Sequence, residues 1–304
     1  MADLAHIAII GAGLMGHGIA QVFARAGHVV TVFDPQAEAL LTLRERVRRN
    51  LVDLGQDAGA SERVFPVEEL SQCVAGADVV FEAGPENLVF KQKLFEQLQM
   101  LAPARAILAS NTSVIPITQI MAGLRSGHRA LGTHWWNPPY LVPLVEVIKT
   151  PHTDAAVAQS MFDLLAAVGK TPAMVEKDVP GFIGNRLQHA LWREAVALVA
   201  EGVCDAETVD TVVKASFGRR LPVLGPLENA DLVGIELTQA IHQTVLPDID
   251  RTPGASPYLQ QLIDAGKLGM KSGEGFRTWT ADQQTELRAR VLAHLKAMNA
   301  ADGR

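Results

Sequence analysis

Residues 6 to 18 read HIAIIGAGLMGHG, an apolar run that ends on Gly11, Gly13 and Gly16. A helical stretch, Ile19 to Ala26, follows with almost no breaker, and a second apolar run, Val29–Phe33, closes on Asp34. This order of strand, glycine turn, helix, strand and acid constrains the fold tightly, because each glycine answers a different steric demand. Gly11 permits the tight turn, Gly13 lets the backbone approach a pyrophosphate, and Gly16 lets the helix pack close to the strand. A dinucleotide's phosphates then meet free N–H groups and the positive end of a helix, with Leu14 and Met15 expected to line the cofactor. Asp34 stands where a carboxylate accepts hydrogen bonds from the adenosine ribose. A 2′-phosphate would be repelled there, so the pattern predicts NAD rather than NADP. The alternative is a glycine-rich turn used only for packing.

The first half of the chain alternates short apolar runs with helical patterns. Candidate strands are Ile7–Ile10, Val29–Phe33, Val79–Glu82, Ile107–Ser110, Ala130–His134 and Leu144–Ile148. Continuous apolar strands of this kind are buried on both faces, as in a parallel doubly wound sheet. Gln36 to Leu54 reads as one helix, and another begins near Asn87. After Asp178 the signature changes. Pro180-Gly181 is a breaker, and the segments Asn185–Glu201, Ala206–Ser216, Asp231–Val245, Tyr258–Ala265 and Gln283–Met298 read as helices, with Asp205 as an N-cap. The expected architecture is α/β: a Rossmann-type, doubly wound, mostly parallel sheet over residues 1–180, then an all-helical C-terminal domain over 181–304.

Several function classes are excluded by composition. A net charge of −6 disfavours nucleic acid and anionic membranes as partners. The two cysteines, Cys73 and Cys204, have no metal-ligand spacing and suit a reducing compartment, so no metal and no disulfide framework are expected. No apolar run approaches the ~20 residues that span a bilayer, and the opening residues read as a strand rather than a signal peptide. The expected location is the cytoplasm.

Oxidation by NAD needs a base to take the hydroxyl proton, and histidine is the usual choice near neutral pH. Of nine histidines, His6 opens the first strand and His17 follows the glycine turn. His28, His128, His152, His242 and His294 look like turn or surface positions. His134 differs, because it ends a strand, where α/β sites form, and it precedes an unusual WWNPPY segment. Twelve residues on, Glu146 sits in an otherwise apolar run, and a buried carboxylate needs a partner. A base with an orienting acid fits this spacing. So does a structural loop histidine with Glu146 paired elsewhere.

Five segments in order carry a wider resemblance: IAIIGAGLMGHGIAQV, FEAGPENLVFKQKLF, ASNTSVIPI, THWWNPPYLVPLVEVIKT and KDVPGFIGNRL. A sixth, GKLGMKSGEGF, lies near the C-terminus. Over nearly its whole length the chain resembles the L-3-hydroxyacyl-CoA dehydrogenase family. That resemblance implies an NAD-dependent oxidoreductase of fatty acid metabolism that converts the hydroxyl of an L-3-hydroxyacyl-CoA to the 3-keto product, and a homodimer formed through the helical domain. It implies His134 as general base, Glu146 as its partner, and Ser113 and Asn185 as contacts to the substrate oxygen. Glu86, Lys91, Ser113 and Asn137 are implied at or near the cofactor. For Ser113 and Asn185, helix capping is the alternative.

The substrate stays open. Trp135-Trp136 stands where acyl-CoA members usually carry two phenylalanines. The following NPPY and the later VLGPLE look more like relatives that oxidise free hydroxy acids, the lambda-crystallin/L-gulonate 3-dehydrogenases and a pyridine-carboxylate branch. CoA would want cations, for which Arg44 and Arg48 on one helix face are candidates beside Arg46 and Arg49; a solvated face with Glu45–Arg49 pairing is the plainer reading. A free carboxylate would want a single arginine, and Arg186, Arg219 and Arg220 qualify. Trp135 and Trp136 could floor a pocket or pack in the core. The Tyr-x-x-x-Lys pair of short-chain dehydrogenases is absent, since Leu144 and Leu262 follow Tyr140 and Tyr258 at that spacing. A non-catalytic NAD-binding structural protein is the remote alternative.

Overall fold

The computed structural model describes residues 4–303. Its strands are β1 (His6–Ile10), β2 (Val29–Phe33), β3 (Val64–Val67), β4 (Val79–Glu82), β5 (Ile107–Ser110), β6 (Ala130–Trp135), β7 (Leu144–Ile148) and β8 (Thr171–Val175). They form one sheet in the order β3-β2-β1-β4-β5-β6-β7-β8. Every neighbouring pair is parallel except β6–β7, which is antiparallel and sets His134 directly opposite Glu146.

Two strands escape the hydrophobic pattern, β3 and β8, and each contains a proline, Pro66 and Pro172. Both lie at the outer edges of the sheet, where the missing N–H breaks no ladder bond. The central strands are buried on both sides. Ile7 and Ile9 join a cluster with Phe23, Val47 and Phe81, while Ala8 and Ile10 join the opposite one with Phe95, Leu98 and Ile117.

The helices of this part are α1 (Leu14–Arg25), α2 (Ala37–Leu41), α3 (Leu43–Asp53), α4 (Leu70–Val74), α5 (Leu88–Leu101), α6 (Ile117–Ile120) and α7 (Ala155–Ala167). α1 begins five residues before the helical stretch that the side chains suggest, because Gly16 and Gly18 mask its first turns. The single helix expected over 36–54 is divided at Thr42 into α2 and α3. α5 starts at the Asn87 cap, whose Oδ1 accepts from Phe90 N at 2.9 Å.

Then follow α8 (Gly184–Ala200), α9 (Ala206–Ala215), α10 (Pro226–Val233), α11 (Ile235–Val245), α12 (Pro257–Asp264) and α13 (Ala281–Ala301). Asp205 caps α9, accepting from Thr208 N at 2.8 Å. The helix expected over 231–245 is broken at Gly234, whose φ of 101° lies outside any helix. Only isolated bridges at Gly269, Glu274 and Thr278 pair extended backbone here. The chain forms two compact units, one reaching to Arg186 and taking in the end of α13 from Ala293, the other Leu187–Leu292. In the second unit no residue is buried: its helices leave Leu187, Trp192, Leu232, Ile235 and Leu237 exposed.

Candidate active site

The glycine turn is built as its sequence demands. Gly11 has φ 111°, and a Cβ on it would lie 2.6 Å from Ala83 O. A Cβ on Gly16 would run into the Gly11 carbonyl oxygen. At Gly13 a Cβ would meet nothing within 4 Å, so the space above the start of α1 is open. Leu14 and Met15 form the first turn of α1, which has no side-chain cap and no acidic residue. Its free N–H groups and dipole suit a pyrophosphate. Asp34 directly follows β2, with Oδ2 accepting from Ala12 N at 2.7 Å and Oδ1 from Gln36 N at 2.8 Å, which leaves each oxygen a further lone pair for a ribose hydroxyl. Arg46 braces the same turn, donating to Ala12 O at 2.7 Å and Ala39 O at 2.8 Å. The residues fit NAD.

Glu86 lies across from Ser113. Its Oε1 accepts from Thr112 Oγ1 at 2.6 Å, Ser113 N at 3.0 Å and Val114 N at 3.3 Å. Partial burial pushes its carboxyl upward, but these bonds and the Lys91 charge outweigh that and hold it below the ordinary carboxylate value. Lys91 is placed differently from the expectation that it lines the cofactor. It has no exposed surface, and its Nζ holds both oxygens of buried Glu82 at 2.7 and 2.8 Å, with Glu86 Oε2 at 3.6 Å. Ser110 Oγ also donates to Glu82, at 2.6 Å. Lys91 therefore braces Glu86 from behind rather than facing a ligand.

His134 is 3% exposed and Glu146 1%. As a directly opposed antiparallel pair they project from the same face of the sheet. His134 Nδ1 lies 2.7 Å from Glu146 Oε2. Glu146 Oε1 accepts from Ile183 N at 2.8 Å and Gly184 N at 3.0 Å, so the carboxylate also sits on the N-terminus of α8. Burial alone would raise its pKa. The hydrogen bonds from His134, Gly184 and Ile183 and the proximity of His134 win, and the carboxyl is held below the ordinary value. An ionised Glu146 can only accept, so Nδ1 carries the imidazole proton and Nε2 is left as the basic nitrogen.

The same turn brings in residues that the sequence reading did not single out. Phe182 is buried with φ 51°, a conformation that side chains rarely adopt, and its ring lies 5.6 Å from His134. The signal was present in PGFIGN: an aromatic residue directly after Pro-Gly. Asn111 Oδ1 accepts from Trp135 N at 3.1 Å and ties β6 to the end of β5.

Asn185 and Ser113 meet: Asn185 Nδ2 donates to Ser113 O at 2.8 Å. The Ser113 hydroxyl has no partner among the described residues. Neither side chain caps a helix. The two tryptophans part company. Trp135 packs on Phe23 and Phe81 in the core, whereas the Trp136 ring lies 5.1 Å from His134. Asn137 is exposed at the start of the turn that follows.

The arginines do not converge on a site. Arg44 Nε donates to Val64 O at 2.6 Å and its guanidinium lies 5.3 Å from the Phe65 ring centre. Arg48 makes two bonds to Glu45, at 2.8 and 2.9 Å, while Arg49 stands 4.0 Å away. Glu45 thus pairs at i,i+4 with Arg49, as the sequence predicts, and more closely at i,i+3 with Arg48. His28 is not a surface residue: it is buried, with Nδ1 accepting from Ala5 N at 3.0 Å.

Comparisons with known proteins identify the family. A model of the 3-hydroxyacyl-CoA dehydrogenase NAD-binding domain matches residues 6–179, and one of the C-terminal domain matches 181–279. The chain belongs to the 3-hydroxyacyl-CoA dehydrogenase family. It is 36% identical over 299 residues to 5-formyl-3-hydroxy-2-methylpyridine 4-carboxylate 5-dehydrogenase of Mesorhizobium japonicum, covering 96% of each chain. It is 35% identical over 288 residues to the human mitochondrial hydroxyacyl-coenzyme A dehydrogenase, covering 89% of this chain and 90% of that one. A crystal structure of the pyridine-carboxylate enzyme, described as an NAD+-dependent dismutase, superposes with a TM-score of 0.91 over 99% of each chain at 35% identity. Members of the 3-hydroxyacyl-CoA dehydrogenase family act on CH–OH groups, and this chain is an NAD-dependent oxidoreductase of that type. No helix among the described residues is long and apolar enough to cross a membrane.

Proposed function

We propose that the protein oxidises the hydroxyl of a free hydroxy acid, a small carboxylate without CoA, with His134 as general base. The buried His134–Glu146 pair at 2.7 Å carries the catalytic reading. His134 Nε2 takes the hydroxyl proton of the substrate. Glu146 stays ionised, fixes the tautomer and stabilises the imidazolium that forms. The N–H groups of Ile183 and Gly184 keep that carboxylate from turning away. Ser113, with its unengaged hydroxyl, and Asn185 beside it hold the substrate oxygen as it becomes a carbonyl. Bound NAD+ supplies the hydride acceptor. The residues that would hold it are Gly11, Gly13 and Gly16 with the first turn of α1 for the pyrophosphate and Asp34 for the adenosine ribose, with Glu86 and Asn137 bordering the remainder.

Two observations favour a substrate without CoA. Arg44 Nε already donates to Val64 O and Arg48 is paired with Glu45, so a CoA phosphate would have to compete with partners in place. The relative that matches over 96% of both chains is named for a pyridine carboxylate. Arg186, next to Asn185, makes no ion pair among the described residues and is the carboxylate partner that we assign. The second reading, an L-3-hydroxyacyl-CoA, rests on the family models and on the human relative.

The same proposal includes a homodimer. A helical unit with no buried residue lacks the core that a stable fold needs, and a second copy of this chain would cover its exposed leucines and isoleucines. Light scattering should give twice the 32.7 kDa chain mass; a monomer at micromolar concentration contradicts the dimer. For the chemistry, His134→Ala should abolish NAD reduction by orders of magnitude while NADH still binds. Near-normal turnover removes His134 from the mechanism.

A further inference from the structure

The backbone that steadies Glu146 runs over residues 178–185, between the end of β8 and the start of α8. It bends sharply: Gly181 has φ 75° and Phe182 φ 51°, so the left-handed region is occupied twice in succession. Glycine takes that conformation freely, whereas phenylalanine holds it only where the surroundings impose it. The bend brings two consecutive N–H groups, those of Ile183 and Gly184, onto Glu146 Oε1.

What imposes the bend lies in residues 113–120. Where the turn starts, Asp178 Oδ2 accepts from Thr118 N at 2.7 Å and from Thr118 Oγ1. In the middle, buried Phe182 shares a core cluster with Ile117 and Ile120. Where the turn ends, Asn185 Nδ2 donates to Ser113 O at 2.8 Å. Thr118 N lies in the first turn of α6, to which Pro116 offers no side-chain acceptor, so Asp178 meets a donor that the local sequence leaves open. The other Asp178 oxygen has no partner, and both hydrogen bonds of this side chain go to Thr118.

We propose that Asp178, through its clasp on Thr118, is a positioning residue for the His134–Glu146 pair. It fixes the turn whose two N–H groups hold one oxygen of Glu146, and so aims the other oxygen at His134 Nδ1. Asp178 makes no hydrogen bond to His134 or Glu146, so its effect passes through the turn. Without the clasp, Phe182 and Asn185 keep the turn in place but not its precise angle. Glu146 is then free to rotate, and the imidazole proton is no longer pinned to Nδ1. The catalytic consequence rests on the reading of His134 as general base; the positioning itself does not.

The first readout needs no substrate. In protein labelled with 15N at histidine, in mildly alkaline buffer, the ring-nitrogen shifts report the tautomer of each imidazole, and the signals missing from His134→Ala belong to His134. The native chain should show His134 protonated at Nδ1. Asp178→Ala should move those shifts toward a mixture of tautomers. Thr118→Val, which keeps the backbone bond, should move them less, and Asp178→Asn, whose amide oxygen can accept both bonds, should restore the native pattern. The second readout is NAD reduction with free 3-hydroxybutyrate, L-gulonate, L-carnitine or L-3-hydroxybutyryl-CoA, whichever the native chain turns over. Asp178→Ala should lower kcat by at least about tenfold, because a small misplacement of a catalytic group is amplified in the rate, with NADH affinity unchanged. In a Glu146→Gln background the same change should lower it by under about threefold, since residues that act through one contact are not additive. Native ring shifts in both Asp178→Ala and Thr118→Val overturn the proposal. So does a kcat loss that is undiminished in the Glu146→Gln background, or that Asp178→Asn shares in full. Altered ring shifts in Asp178→Ala together with full turnover in His134→Ala would instead refute the general-base reading and uphold the positioning.

Discussion

Glu146→Gln isolates what the buried carboxylate contributes, because glutamine has nearly the same shape. In the native chain Glu146 accepts three hydrogen bonds, from His134 Nδ1 and from Ile183 N and Gly184 N. Glutamine has one oxygen and one NH2 group. If the oxygen stays on the two backbone N–H groups, the NH2 faces His134 and demands an acceptor at Nδ1. The imidazole proton then moves to Nε2, where the base should be. If the oxygen turns to His134, an NH2 group meets two buried N–H donors, which costs about 1–3 kcal/mol. The larger loss is electrostatic. An imidazolium and a carboxylate with charge centres ~4 Å apart attract by roughly 4 kcal/mol at an effective dielectric near 20. Much of that attraction exists only once the proton has reached His134. A loss of about 2–4 kcal/mol in the transition state corresponds to a fall in kcat of about 30-fold to 1,000-fold. The assay is steady-state NAD reduction at saturating substrate, with NADH affinity measured in parallel. Unchanged NADH affinity with that fall in kcat is expected, and a fall under about threefold refutes the reasoning.

Three further perturbations test other parts of the account. Gly13→Ala should fold normally, since its methyl meets no protein atom within 4 Å, yet bind NADH at least about tenfold more weakly if that space belongs to the pyrophosphate; native affinity would place the phosphates elsewhere. Lys91→Met should destabilise the chain by about 3–5 kcal/mol in denaturant melts, because it strands the Glu82 carboxylate in the core; a loss under about 1 kcal/mol would contradict a charged pair there. Glu86 has a depressed pKa, so its contribution to stability is present above the ordinary carboxylate value and is lost as pH falls through the lower folded value. The melting gap between wild type and Glu86→Gln should therefore hold near neutral pH and close in acid, and a gap that persists in acid contradicts the assignment.

How far the sequence carried the fold is visible in single elements. β1, β2, β4, β5 and β7 were legible because continuous apolar runs leave one interpretation. β3 and β8 were not, because a proline reads as a breaker until the edge position that tolerates it is known. Gly234 divides α10 from α11 through a backbone angle that no periodicity announces.

At the candidate site, His134 and Glu146 could be named from a strand end and an odd polar residue. That they face each other follows from the one antiparallel pair in the sheet, and that pairing is long-range information. The N–H groups of Ile183 and Gly184 were invisible for another reason: backbone donors have no residue identity. Lys91 was placed at the cofactor by the family resemblance alone, whereas Glu82 draws it inside. Arg44 and Arg48 were candidates because they share a helix face, which does not disclose their partners Val64 and Glu45, and Trp135 and Trp136, adjacent in sequence, alternate between the core and the surroundings of His134.

The central claim, His134-based oxidation of a hydroxyl on an acid without CoA, is tested most directly by one measurement. NADH formation is followed with L-3-hydroxybutyryl-CoA and longer L-3-hydroxyacyl-CoAs against free 3-hydroxybutyrate, L-gulonate, L-carnitine and hydroxymethyl or formyl pyridine carboxylates. Each substrate is run with wild type and with His134→Ala. The account predicts turnover with one or more of the free acids, none with the thioesters, and loss of that turnover in His134→Ala. Turnover with the thioesters alone would contradict it and return Arg44 and Arg48 to the search for a CoA site.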